Sequence, residues 1–395
     1  MRLPAVGAVR LRPLGTAEAA DTARRAAVSF GQDLDDEAVE RWRVRIDAGE
    51  VWGLTDNADR VVAHGRFTLV DHWFGGRRVP TQHVASVAVP PEHRGGGAAA
   101  ALMTAAIAEG ARAGAGLSLL FPATVRLYRR VGYEHAGDFP RYRLDARNAP
   151  PSGPRLRPAG GEADWAAIRR CGDHAVSRQH GPAVRPADRW EQLRATTYHY
   201  VLDGADGEID AYVLFDHTHE AGDWRYTLSV TDWAATTAEG LAGVVGLLGR
   251  HGTTGKAATF RGPVPDRWSM LVAEQDVTQV SSLWWMARGL HLAAAVAARG
   301  FPPGLRGSAA VVVDDPLLPA ARGPWRLEVA DGRGSLAPTS SAAVRLDVRA
   351  VGPLFTGYRT PVELALAGLV EGPDDALAWL AGAFAGPVPV LQDFF

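Results

Sequence analysis

The 395-residue chain is poor in several things, and each scarcity excludes a class of protein. Its one cysteine, Cys171, can form no internal disulfide, and no Cys/His cluster has zinc spacing, so a reducing, cytoplasmic setting without structural metal is expected. It has no surplus of charge of one sign. The 42 Lys and Arg stand against 44 Asp and Glu, a net of −2, which argues against nucleic acid as a partner. Lysine is nearly absent: Lys256 stands alone while Arg, Ala, Gly and Pro abound, a bias that GC-rich codons explain. Arginine abundance is therefore no evidence of phosphate recognition by itself. No uninterrupted apolar run reaches the roughly 18 residues of a membrane span, and the N-terminal stretch from Met1 to Arg10 is too short and too broken for a secretory leader.

What remains is ordinary globular stock, 47% apolar and 22% charged, in a length that predicts two or three domains. Pro/Gly punctuation at residues 149–154 and 299–304 divides the chain into 1–150, 151–290 and 291–395. The first unit opens with helical patterns after residues 16–18 and 35–37, followed by strand-like runs at 51–54, 61–70 and 83–89. A small-residue helix at 97–112, an apolar strand at 117–121 and a short helix at 126–130 complete an α-α-β-β-β-α-β-α-β order. The middle unit repeats this plan weakly, with a helix at 163–170, strands at 211–215 and 226–230, and a helix at 239–249. The last unit differs: strands at 310–313, 326–329 and 343–348 precede helices at 361–369 and 374–383. Its end, 387–395, is apolar and aromatic, unlike a tail dangling in water, and is expected to dock.

The strongest chemical signal spans residues 87–103. Val87, Ala88 and Val89 end an apolar strand, Pro90 and Pro91 break it, and Arg94-Gly95-Gly96-Gly97-Ala98-Ala99-Ala100 launches the small-residue helix. Glycines leave backbone N–H groups unhindered and a helix N-terminus adds positive potential, so the turn suits one anionic group. It is neither G-x-x-x-x-G-K-[ST] nor a dinucleotide fingerprint with its acidic ribose partner. The spacing Arg94-x-x-Gly97-x-Ala99 resembles the R/Q-x-x-G-x-G/A turn with which GNAT acetyltransferases hold the pyrophosphate of coenzyme A. The edge of Val87 to Val89 could pair with an extended pantetheine arm, and the Val87 N–H would polarise a thioester carbonyl.

A second signal lies at 120–134, where Tyr128-Arg129-Arg130-Val131-Gly132-Tyr133 resembles the Y-x-[KR]-x-G-[FY] helix that follows the fifth GNAT strand. A phenol there can donate a proton to a departing thiolate. Taken alone, Tyr128 reads as an ordinary core or surface tyrosine flanked by solvated arginines. The middle unit lacks such a turn: Asp232 and Glu239 stand where phosphates would sit, so one coenzyme site per chain is expected. His217-x-His219 has no third ligand in view, Ser86 and Ser118 sit in no nucleophile elbow, and Trp284 and Trp285 read as packing residues.

Together these features resemble the enhanced intracellular survival (Eis) family of N-acetyltransferases. The resemblance implies an α+β fold class of the α/β GNAT type: tandem GNAT domains, the second degenerate, followed by a sterol-carrier-protein-like α+β domain. It implies Tyr128 as general acid and the α-carboxylate of Phe395 as general base. Acetyl-CoA would be held by Val87, Ala88, Val89, Arg94, Gly95, Gly96, Gly97, Ala98, Ala99, Ala100, Ala123 and Thr124, without metal. It further implies direct transfer in a ternary complex to an amine of an aminoglycoside-like molecule, a polyamine or a lysine side chain, and a homohexamer. A terminal carboxylate has an ordinary pKa of roughly 3.5, and an apolar seat raises its basicity. Asp33, Asp35, Asp36, Glu37 and Asp393 could form an acidic mouth for a cationic acceptor, although Gln32 and Phe394 replace acids of aminoglycoside-modifying relatives. Two alternatives stand beside this reading: a tail that merely plugs the last unit, and a non-catalytic acetyl-CoA-sensing or lipid-binding protein.

Overall fold

A computed structural model of the chain describes residues 9–205 and 207–395; most of the N-terminal stretch weighed above as a leader lies outside the described residues. The first unit runs β1 (Arg10–Pro13), α1 (Ala19–Phe30), α2 (Asp36–Asp47), β2 (Val51–Thr55), β3 (Val61–Phe74), β4 (Arg77–Ala88), α3 (Ala98–Arg112), β5 (Leu117–Leu120), α4 (Val125–Arg130) and β6 (Glu134–Asp145). The middle unit runs β7 (Arg157–Pro158), α5 (Gly161–Ser177), α6 (Ala187–Arg194), β8 (Tyr198–Asp203), β9 (Ile209–His219), β10 (Tyr226–Ala235), α7 (Ala238–Arg250), β11 (Gly255–Arg261) and β12 (Val277–Gly289). The last comprises α8 (Leu292–Ala298), β13 (Gly307–Asp314), β14 (Trp325–Ala330), β15 (Arg333–Pro338), β16 (Val344–Asp347), α9 (Val348–Thr356), α10 (Pro361–Leu366), β17 (Val370–Glu371) and α11 (Asp374–Ala383).

Local signals explain the clearest elements. Asp35 caps α2 by accepting from the Ala38 N–H at 2.7 Å, and Gly31, left-handed at φ 65°, ends α1. Gly75 and Gly76, both at positive φ, turn β3 into β4. The sequence pattern placed no helix between the strand at 343–348 and residue 361, a stretch that contains Pro353. The structure forms α9 there all the same: eight of its nine residues are buried, and that packing outweighs the bond the proline forfeits.

The two GNAT-like units share one twelve-stranded sheet, ordered β1-β2-β3-β4-β5-β12-β6-β11-β10-β9-β8-β7. Each contributes an antiparallel meander of four strands followed by a parallel partner, β5 beside β4 and β11 beside β10. Their last strands are exchanged. β12, from the middle unit, lies antiparallel between β5 and β6, and β6, from the first unit, pairs with β11. Trp285 on β12 is fully buried and lies against Gly137 of β6, where a side chain would meet its ring at 2.2 Å.

The last unit forms a five-stranded sheet, β15-β14-β13-β16-β17, whose interior is filled by its own Val311, Val313, Leu327, Leu354 and Phe384. That core is continuous with Phe74, Val79 and Leu117 of the first unit. At the joint lies Arg299, fully buried without a carboxylate: it donates to the carbonyls of Phe355, Gly300 and Phe384 and is flanked by the rings of Phe301, Phe355 and Phe384. Burial pushes its pKa down to about 9. Beside it the backbones of Gly75 and Gly300 touch so closely that a Cβ on Gly300 would stand 1.8 Å from the Gly75 oxygen. Gly300→Ala should therefore lower stability by about 2 kcal/mol or more, since neither backbone can yield cheaply. Gly304→Ala, whose Cβ meets nothing within 4 Å, serves as the control. Equal melting temperatures for the two variants would show that the joint is not close-packed.

Candidate functional site

The site begins where two strands part. β4 and β5 pair in parallel only from Thr81 with Leu117 to Val84 with Leu120. Beyond that point β5 ends at Phe121 and Pro122, while β4 continues to Ala88. The β5-facing edge of residues 85–88 is thus left without a strand partner. On its other side β4 carries a bulge: His64 pairs with Ala88 and Arg66 with Ala85, so β4 has one residue more than β3, and Ser86 sits at φ 50°. A non-glycine in that region stores about 1 kcal/mol or more, and such bulges re-aim backbone groups at functional sites. The bulge carried no sequence signal.

Below the open edge lies the turn. Pro91 to His93 form one 3₁₀ turn, Gly95 and Gly97 take positive φ, and α3 starts at Ala98 without a capping side chain. The N–H groups of Gly95, Gly96, Gly97, Ala98, Ala99 and Ala100 have no hydrogen-bond acceptor among the described residues. Side chains added at Gly95 or Gly96 would meet nothing within 4 Å. A row of free amides opening on empty space, at the N-terminus of a fifteen-residue helix, fits the pyrophosphate of acetyl-CoA. Arg94 is exposed and its Nε donates to the Val89 carbonyl at 2.9 Å, which clips the turn to the end of β4 and leaves the outer guanidinium nitrogens free. Val87 and Val89 are half-buried and Ala88 is buried; Ala123 and Thr124 are exposed just before α4, and the Thr124 hydroxyl makes no capping bond.

Strand alternation sorts the two expected catalytic groups onto opposite faces of this parting. Val84 and Leu120 face the side covered by α3 and α4, where Tyr128 packs with Met103, Ile107 and Tyr133. The Tyr128 ring is buried, its hydroxyl has no protein partner among the described residues, and burial pushes its pKa up to about 12, so it stays protonated. Gly132, at φ 89°, lets the chain leave α4 for β6, and the Tyr133 hydroxyl is tied to Ser118 at 2.7 Å.

His83 and Leu119 point to the other face, and there the chain terminus arrives. The Phe395 ring stacks on the His83 imidazole at 3.6 Å and 9°, and packs with Leu119, Phe139 and Trp285; Phe394 stacks on Phe121 at 4.5 Å. The tail is threaded there by main-chain bonds: the Val390 N–H donates to His180, Leu391 donates to Asp138, and Asp138 donates to Pro389.

Sequence reasoning missed the support beneath Phe395. His83 and His72 bring their Nε2 atoms within 2.5 Å, and His72 Nδ1 reaches the Gly181 carbonyl. A carbonyl only accepts, so His72 carries its proton on Nδ1 and His83 donates from Nε2. Burial holds both below the ordinary imidazole value, His72 at about 4. The one available signal was that both histidines fall on inward positions of alternating strands.

The acidic mouth expected for a cationic acceptor is not assembled as expected. Asp393 is turned inward, held by Arg185 at 2.7 Å and Arg189 at 2.8 Å. Asp35 is spent on its helix cap and Glu37 pairs with Arg41 at 3.0 Å, while Asp33 and Asp36 stay exposed. In the middle unit, the Thr237 side chain takes the Gly240 N–H as the α7 cap, and Glu239 puts a carboxylate in the first turn, so the helix start is less suited to a second phosphate. His217 stacks on Tyr226 at 3.9 Å, and the described residues contain no group of three or more side chains arranged to bind metal. No helix among them is long and apolar enough to cross a membrane.

The buried imidazoles give a pH expectation. Burial is the main reason that His64 titrates at about 3 and that His72 and His180 titrate at about 4, against 6.5 for a free side chain. Between those values the unfolded chain binds protons that the native state refuses, so stability rises with pH from about 4 to 6.5 and falls on acidification through that window. Melting curves at about pH 6.5 and 4.5 should differ by several degrees; a flat profile would contradict neutral burial.

Comparison with known proteins agrees with this geometry. Residues 10–136 and 181–290 each match an acetyltransferase (GNAT) domain family, and residues 292–392 match the sterol carrier protein domain family. An uncharacterized N-acetyltransferase of Streptomyces avermitilis is 26% identical over 95% of both chains. The N-acetyltransferase Eis of Mycobacterium tuberculosis is 26% identical over 93% of this chain and 95% of its own. Among solved structures, the GCN5-related N-acetyltransferase from Anabaena variabilis superposes with a TM-score of 0.90 at 25% identity, covering 98% of this chain and all of the other. The corresponding enzyme from Kribbella flavida gives 0.86 at 29% identity, with 98% of each covered. With two GNAT domains and a sterol carrier protein domain covering most of its length, the chain is a GNAT N-acetyltransferase that is similar over nearly its whole length to the Eis N-acetyltransferases.

Proposed function

We propose that the chain transfers acetyl directly from acetyl-CoA to a primary amine in a ternary complex, with Tyr128 as general acid and the Phe395 α-carboxylate as general base. The observation that supports this reading is that the Tyr128 ring packs on one face of β4 and β5 and the Phe395 ring on the other, on a pair of strands that part ahead of the free amides of residues 95–100. Acetyl-CoA, seated in that gap, supplies the thioester. The Phe395 carboxylate takes a proton from the acceptor ammonium, and the free amine nitrogen bonds to the thioester carbonyl carbon. As the carbon–sulfur bond breaks, Tyr128 gives its proton to the sulfur and coenzyme A leaves as the thiol, while the nitrogen sheds its second proton to water to give the neutral amide, and Tyr128 is reprotonated from solvent. Backbone N–H groups at the bulge would stabilise the carbonyl oxygen as it gains charge.

The acceptor class follows the family: an aminoglycoside-like molecule, a polyamine or a lysine side chain. With Asp393 and Asp35 engaged elsewhere, a strongly polycationic acceptor has fewer free carboxylates to meet than the sequence suggested. We further propose the division 1–150, 151–290 and 291–395 as one of labour, an assembly of six chains, and a cytoplasmic setting. A non-catalytic sensor, the other possibility raised by the sequence, is superseded by the match to N-acetyltransferases.

Thiol release from acetyl-CoA across a panel of aminoglycosides, polyamines and lysine peptides tests the reading. Tyr128→Phe should lower kcat about a hundredfold. Its melting temperature should be unchanged, because the lost hydroxyl has no hydrogen-bond partner among the described residues. Removing Phe395, or appending one residue after it, should have a comparable effect on kcat. Undiminished turnover in these variants would remove the proposed acid and base.

A further inference from the structure

The middle GNAT unit has lost its phosphate site but kept its parted strands. β10 and β11 pair in parallel only from Tyr226 to Ser229, and β10 then bulges at Thr231, as β4 does at Ser86: Val230 pairs with Phe215 and Asp232 with Leu214. The equivalent cleft therefore exists in the second unit, and its contents are protein. Asp232, the residue after the bulge, accepts from Arg185 Nη1 at 2.6 Å, from Arg185 Nη2 at 3.0 Å and from the Tyr212 hydroxyl at 2.7 Å. The other edge of the same guanidinium holds Asp393, with Nε at 2.7 Å, and Arg189 holds Asp393 from the side at 2.8 Å. Gln392 lines the cleft itself, beside Trp233 and Arg261.

We propose that this degenerate cleft has exchanged a cofactor for the chain's own tail: Arg185, seated on Asp232, and Arg189 grip Asp393 and thereby position the terminal carboxylate of Phe395 in the first unit's site. Arg185, Arg189 and Asp393 are on this account positioning residues, and the inference rests on the reading of Phe395 as base.

Four features support it beyond the contacts. The side chains of Arg185 and Asp232 are 5% and 7% exposed, so their charges are withdrawn from water and each must keep its partner. Two guanidiniums facing two carboxylates leave the cluster neutral, with no charge to spare for a ligand. Burial alone would push the Asp393 carboxyl up, but Arg185 and Arg189 outweigh it and hold it below the ordinary range, so the grip stays ionised at neutral pH. Asp393 is also close enough to the end to matter. Two residues span at most about 7 Å, so fixing its carboxylate confines the chain terminus to a small volume. The ring of Phe395 on His83 then sets the direction.

The test uses the full-length protein and two readouts. Carboxypeptidase A releases a C-terminal phenylalanine only when the terminus enters its own active site, so the rate of Phe395 release reports tail anchoring without reference to acetyl transfer. Steady-state kinetics with acetyl-CoA and an accepted amine report positioning. Asp393→Asn keeps the shape and removes the charge. Arg189→Gln does the same from the more exposed partner and guards against a variant that fails to fold, and Arg189→Lys restores the charge. The expected result is release about tenfold faster in Asp393→Asn and Arg189→Gln, a fall in kcat of similar size, an unchanged KM for acetyl-CoA, and partial recovery in Arg189→Lys. Unchanged release in both charge-removing variants would overturn the anchoring. Faster release with unchanged kcat would leave the anchoring and overturn the base reading of Phe395 on which the positioning rests. A fall in kcat matched by a rise in KM for acetyl-CoA would overturn the proposal by placing the effect in the cofactor cleft.

Discussion

The constraint on which the rest of the structure depends is the short pairing of β4 with β5. Four residues of each strand are joined, and then Pro122 carries one chain away while the other runs on. An unpaired strand edge inside a protein is a liability, because its N–H and C=O groups have given up water without gaining partners. On the proposed reading that liability is put to use as the binding site: the exposed edge of residues 85–88 suits an extended amide-bearing arm, and the free amides of residues 95–100 suit the phosphates that follow it. The bulge at Ser86 adds strain to the same strand at the same level. The gap also opens to both faces of the sheet, which is what the proposed roles of Tyr128 and Phe395, so distant in sequence, require.

Duplication explains how such a gap is kept open. Each GNAT unit ends in a strand that lies beside the other's, so β12 closes the far side of β5 and β6 closes the far side of β11. The twelve-stranded sheet is thus one object, in which the second unit holds the first in shape whether or not it binds a ligand. Freed from coenzyme, its cleft could fill with charge of both signs. The Thr237 cap and Glu239 make the start of α7 less suited to phosphate, and Asp232 and Arg185 occupy the bulge.

Much of this was legible in the sequence, and the unreadable parts share a cause. The cradle at 94–100 and the helix carrying Tyr128 could be read because their chemistry is local: glycines, prolines and a motif of six residues fix them without outside help. The tail could be read as docked because exposed tails are seldom aromatic. The bulge at Ser86, the strand exchange, the His72–His83 pair and the grip on Asp393 could not, since each joins residues far apart in the chain, as Arg185 joins Asp393 across 208 positions. Asp393 shows the point sharply. By its place in the tail it was grouped with acids expected to meet a cation, and only the fold reveals two arginines already in possession of it.

A main-chain carboxylate as the proposed base has a physical logic that the surroundings make visible. A side-chain carboxylate is positioned by the backbone that carries it; a terminal one swings on the last bonds of the chain unless something else holds it. The structure supplies that hold through rings, with Phe395 on His83, Phe394 on Phe121, and Phe139 beside them both. Such stacking orients without donating strong hydrogen bonds, and so it leaves basicity intact. The choice of ring beneath Phe395 matters for the same reason. An imidazolium at that place would attract the proposed base and lower its proton affinity, whereas His83, desolvated and kept from charging further by His72 and Arg66, stays neutral. The charged groups that restrain the tail act at Asp393, two residues back, where they can grip the chain without pairing with the carboxylate that is to take the proton.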